Sequence, residues 1–140
     1  MKEASLADCY LVNAVSPKMT ISITSSCLIF SPDLAKKLNF ASYLEVYMSK
    51  DKTYAVFIPS SEEQTGSIPC SKVSNTYLRM NNKEMSKKFA EVLGIDLASK
   101  WAKIGGEYQQ SVNGFVADLS PDPNRVFDRK HCGKKTAPAE

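Results

Sequence analysis

The residues best placed to do chemistry in this 140-residue chain are its cations. Lys83, Lys87 and Lys88 fall on one side of a helical stretch preceded by Arg79, and Lys36 and Lys37 close an earlier, shorter one. Lysine presents a point charge and arginine a planar fork of donors, and both suit phosphate oxygens. Lys36, Lys37, Arg79, Lys87 and Lys88 therefore form a candidate two-lobed basic face for a nucleic-acid backbone. Taken singly, each lysine is an ordinary solvated residue. The overall charge of +3 is unevenly placed: residues 1–70 carry six lysines against seven acids, and residues 71–140 carry twelve Lys and Arg against eight. A phosphate-bearing partner and a merely solvated basic surface both account for that bias.

Catalysis and metal binding find less support. Cys9, Cys27, Cys70 and Cys132 form no C-x-x-C pair, and His131 is the only histidine, so neither a metal nor a cofactor is expected. In RKHCGKK, His131 adjoins Cys132, and the surrounding positive charge would lower a thiol pKa. A general base must nevertheless be held within hydrogen-bond reach, which a flexible tail cannot do. No Walker loop, H-E-x-x-H or G-x-S-x-G occurs, and the expectation is a non-catalytic binding protein. Trp101, Tyr108, Tyr43 and Tyr47 could offer stacking surfaces, although aromatic residues on hairpins are more often core or cross-strand packing partners.

Composition places the chain among ordinary soluble proteins, at 43% hydrophobic and 24% charged residues. No apolar run approaches the ~18 residues that cross a bilayer. The opening MKEASLADCYLVNAVSPKM carries Glu3 and Asp8 and lacks the apolar stretch of a signal peptide, so a cytoplasmic protein without membrane association is expected.

These residues must be positioned by elements that the sequence repeats. Leu28 to Pro59 reads as a strand, a helix ending in KKLNF, and a hairpin from Tyr43–Met48 to Thr53–Ile58. Leu78 to Leu119 has the same order, with a helix from about Asn82 to Leu93 and a hairpin whose tip is Asn113-Gly114. Asn39 and Gly94, both suited to positive φ, end the two helices. Ser31-Pro32-Asp33 reads as a helix start with serine as cap. Gly105-Gly106 reads as a bulge. MTISIT from Met19 alternates as a half-buried strand, and residues up to Pro17 suggest a marginal helix or a frayed arm.

A strand-helix-hairpin unit cannot bury its apolar face alone, so each copy is the other's packing partner. The expected fold is α+β: two strand-helix-β-hairpin repeats, about residues 19–59 and 76–119, closed into a pseudo-symmetric small β-barrel. One domain spans 1–120 with a linker at 60–75, and 121–140 is a flexible tail. Internal symmetry predicts a monomer.

SCLIFSPDLAKKLNF followed by YLEVYMSKDKTYAVFIP resembles the AbrB/MazE family of swapped-hairpin domains, over about 35 residues of the first copy and more loosely 40 of the second. The resemblance implies a DNA-binding transcriptional regulator of AbrB-like type, with duplex DNA as partner. The alternative is a protein-binding inhibitor, an antitoxin or a phage-borne anti-defence protein, because Cys27 stands where the family has a DNA-contacting arginine. In that alternative Val126 and Phe127 anchor the tail on a protein target.

Overall fold

The structure, a computed structural model, describes residues 5, 7, 19–60, 66–120 and 123–129. Strands follow wherever apolar and polar residues alternate, because alternation on an extended backbone gives one face to the core. β1 (Thr20–Ile23) buries Ile21 and Ile23, and β2 (Leu28–Phe30) buries Leu28 and Phe30. After α1 (Pro32–Lys37) come β3 (Tyr43–Met48), β4 (Tyr54–Ser60), β5 (Ser67–Pro69), β6 (Ser71–Val73) and β7 (Tyr77–Met80). Then follow α2 (Lys83–Leu93), β8 (Lys100–Gln109), β9 (Gly114–Asp118), a 3-10 turn at Pro123–Arg125 and β10 (Val126–Asp128).

All pairings are antiparallel, in the order β5-β3-β4-β9-β8-β1-β2-β7-β6, with β10 on β8. Only Cys70 separates β5 from β6, so the two ends of this path are neighbours in the chain and the sheet curls into a nearly closed, barrel-like form. β8 serves both halves. Its residues 102–105 pair with β1, and 106–109 pair with β9.

This corrects the α+β expectation of two strand-helix-hairpin repeats. Among the described residues the molecule is mainly one antiparallel sheet of ten strands, with two α-helices of six and eleven residues. Within α1 only Leu34 and Ala35 are buried, and within α2 only Ser86, Phe89 and Ala90. The helices plug a core built by strands and do not form a layer of their own. β5, β6 and β10 fall outside the expected units, yet they complete the sheet.

The interior is a single cluster. Phe30 of β2 meets Phe57 of β4 edge-on at 5.5 Å, and Phe57 stacks on Phe89 of α2 at 5.8 Å. Such pairs add roughly 1 kcal/mol each beyond area burial. Two local expectations change in mechanism. Ser31 precedes α1 without capping it; its Oγ accepts the Thr20 N–H at 2.9 Å and ties the helix entry to β1. The real side-chain cap is Asn82, whose Oδ1 accepts the Met85 N–H at 3.0 Å, while Gly94 ends α2 at φ 70°.

The glycines also act differently from expectation. Asn113 has φ 53°, but Gly114 does not share that region; a Cβ there would stand 2.7 Å from the Phe57 carbonyl oxygen. A Cβ at Gly106 would overlap the Val116 carbonyl. Gly106 therefore marks a close approach of β8 and β9 at the point where β8 changes partners, not a bulge. The N-terminal segment, Cys9, His131 and Cys132 lie outside the described residues. Of the expected linker and tail, residues 66–75 carry β5 and β6, and residues 123–129 carry the turn and β10.

Candidate nucleic-acid interface

Alternation that sends Ile21, Ile23, Leu28, Phe30, Leu78, Met80, Ala102 and Ile104 inward sends their neighbours outward. Register then aligns an outer row across five strands: Lys103 of β8, Ser22 of β1, Ile29 of β2, Arg79 of β7 and Ser71 of β6. Three interstrand steps put the backbones under Lys103 and Arg79 about 14 Å apart. The other outward residues of this half are Val73, Tyr77, Trp101 and Phe127, and Thr20 shares their register but is buried. None is acidic.

Arg79 lies half-buried. Its Nη2 donates to the Tyr77 hydroxyl at 3.2 Å and its guanidinium sits 6.0 Å from that ring, while its Nε is buried without an acceptor. Lys103 Nζ stands 5.9 Å from the Trp101 ring. Neither cation forms an ion pair among the described residues. Each is steadied by an aromatic ring and keeps its charge uncompensated. Beside them Phe127 stacks on Trp101 at 4.7 Å, and Lys100 pairs with Asp128 at 2.6 Å, clipping β10 onto β8.

The expected site residues lie on α1, β7 and α2. Arg79 belongs to the row just described. Lys36 and Lys37 occupy the last turn of α1, with Lys37 Nζ 4.9 Å from the Tyr108 ring. Lys87 and Lys88 are exposed on α2, and Lys87 pairs with Glu84 at 3.4 Å. α1 packs against β7, the strand that carries Arg79. Val126 and Phe127 lie in β10, Val126 opposite Ala102 and Phe127 opposite Trp101. Lys103 was the residue missed. Its signal was present in the alternation of Trp101 and Lys103 against Ala102 and Ile104.

The remaining titratable groups do not suggest a reaction centre. Burial pushes the Cys70 thiol up to about 12, which keeps it protonated and a poor nucleophile at neutral pH. Cys27 is buried, and both of these thiols are free. Among the described residues, no group of three or more His, Cys, Asp or Glu side chains could hold a metal ion. No helix among them is long and apolar enough to cross a membrane.

The opposite half of the sheet has a different exterior. The outward residues of β3, β4, β9 and the end of β8 include Glu45, Tyr47, Tyr54, Val56, Ile58, Val116, Glu107 and Asp118, with no Lys or Arg. Tyr47 donates to Glu45 Oε1 at 2.7 Å, which raises the Tyr47 pKa. Ser120 N–H donates to Asp118 Oδ1 at 2.9 Å; hydrogen bonds from Ser120, with Arg125 adding attraction, hold the Asp118 carboxyl below its ordinary value.

No family model matches the chain, and no curated protein or solved structure matches it.

Proposed function

We propose that the protein is a non-catalytic DNA-binding protein of the cytoplasm, a regulator of transcription, and that the outer row of β8, β1, β2 and β7 lies against the sugar-phosphate backbone. The observation that carries this reading is the acid-free face on which Lys103 and Arg79 stand about 14 Å apart, comparable with the ~12 Å width of a major groove. Two unpaired cations at that separation reach phosphates on both sides of a groove, and the small Ser22 between them leaves room for the backbone. Lys36, Lys37, Lys87 and Lys88 add long-range attraction from the helices. The AbrB/MazE resemblance supplies the regulatory part of the reading. An inhibitor that grips its target through Val126 and Phe127 is the less favoured use, because Phe127 already spends one face on Trp101.

Fluorescence anisotropy with a labelled 20-base-pair duplex tests it. Replacing Arg79 and Lys103 by Glu should weaken binding about tenfold or more and flatten the log-log salt slope by roughly 2. Lys87→Glu/Lys88→Glu should act more weakly. If the intact protein does not bind duplex DNA at low salt, the reading fails; if the helix pair matters as much as the sheet pair, the contact face is wrong.

A further inference from the structure

The second exterior has no part in that function and has a composition of its own. One row runs Tyr47, Val56, Val116, Glu107 across β3, β4, β9 and β8. Ile58 flanks it on β4 and lies over Gly114. Tyr54 flanks it on the other side, 46% exposed, and Tyr47 is 52% exposed. Single exposed apolar residues need no explanation, but here the exposed Tyr47 and Tyr54 stand beside the half-buried Val56, Ile58 and Val116. Gly105 contributes no side chain, so an open trough of about 710 Å³ forms here, lined by Tyr54, Val56, Val112 and Val116 together with Glu107 and Arg125.

We infer that this face is a docking surface for a short, apolar and basic peptide segment of another protein. Charge selects the chemistry. Glu45, Glu107 and Asp118 rim the face without a Lys or Arg at any outward position of these strands. Arg125 stands 3.6 Å from Asp118, whereas Glu107 has no ion pair among the described residues. Area selects the size. Three interstrand steps by about five residues cover roughly 250 Å², against about 800 Å² per partner in a stable protein complex. A second copy laid face to face would bury too little and would bring two acidic rims together. A segment of about seven residues covers the row, setting aliphatic side chains at its centre on Val56 and Val116 and cations at its ends toward Glu107 and Glu45.

The intact, isotope-labelled protein can be titrated with a capped heptapeptide of central leucines flanked by lysines, and with the same peptide carrying glutamates in place of the lysines as control, while amide shifts are followed. The leucine-lysine peptide should give saturable shifts at Val56, Val116 and Glu107. Val116→Ser should raise its Kd about tenfold, and Glu107→Gln, exposed enough to leave folding intact, should raise it about threefold. Absence of saturable shifts, equal affinity for the glutamate peptide, or shifts mapping to Lys103 and Arg79 would overturn the inference. So would a dimer in sedimentation that Val116→Lys dissolves, since a second copy would then occupy the face. None of these outcomes bears on duplex binding, which uses the opposite half.

Discussion

The outward residues of β6, β7, β2, β1 and the first half of β8 include Arg79 and Lys103 and no acid, whereas those of β3, β4, β9 and the second half of β8 include Glu45, Glu107 and Asp118 and no base. Both sets stand on strands whose inward residues join one cluster around Phe57. The period of two separates these tasks. A residue facing inward must fit its neighbours to within a methyl group, while the one beside it is free to take whatever charge a partner requires. Two binding chemistries can therefore be mounted on one interior with little cost to folding.

The strongest challenge to that picture is a substitution in the shared interior. Phe57→Ala removes the ring that touches both Phe30 and Phe89 and should cost about 3–5 kcal/mol. Both halves should melt together, with tryptophan fluorescence from Trp101 and tyrosine absorbance from Tyr47 and Tyr54 giving one coincident transition. If one half melted first, the interior would not be shared in the sense described.

A charge exchange sharpens the contrast on a single strand. Lys103→Glu combined with Glu107→Lys keeps composition and net charge. Melting should shift stability by no more than about 0.5 kcal/mol, yet duplex affinity should fall about tenfold as one of two central phosphate contacts is lost. A stability loss of several kcal/mol would show that the exteriors are not independent of the core.

The smallest effect is one of pH. The Asp118 carboxyl is depressed by hydrogen bonds from Ser120 and then by Arg125, so its contribution is present above the unfolded value of about 3.9 and is lost as pH falls through the lower folded value. Its side chain is 47% exposed, so screening limits the contribution to under about 1 kcal/mol. Asp118→Asn should accordingly be slightly less stable than the parent at pH 7 and equal to it well below pH ~3, as measured by urea unfolding at both pH values. A gap that widened on acidification would contradict the assigned cause.

Much of the local structure was legible in the residues. The β3–β4 hairpin and α2 lie within a residue or two of their expected bounds, because alternation and the Asn82 and Gly94 ends are written locally. The fold class was not legible. By pattern alone α1 and α2 count as equal partners of the strands, and only the pairing of β1 with β8 and of β5 with β3 shows that the sheet encloses the helices' apolar side chains. The candidate face was half legible. Arg79 was visible as a cation before α2, but its alignment with Lys103 depends on the order β8-β1-β2-β7, which pairs residues far apart in the chain and leaves no local trace.

That strand order has a consequence for the birth of the protein. β1 joins β2 through a tight connection, with Ile23 opposite Leu28, but its other edge waits for β8, where Thr20 lies opposite Gly105. At ribosomal rates of about 5–20 residues per second, roughly 4–17 s pass between the emergence of the two. Through that interval Ile21 and Ile23 stand on a strand with one open edge. Until Gly105 emerges the nascent chain is thus open to misassociation along β1, which sets a premium on chaperone cover during translation.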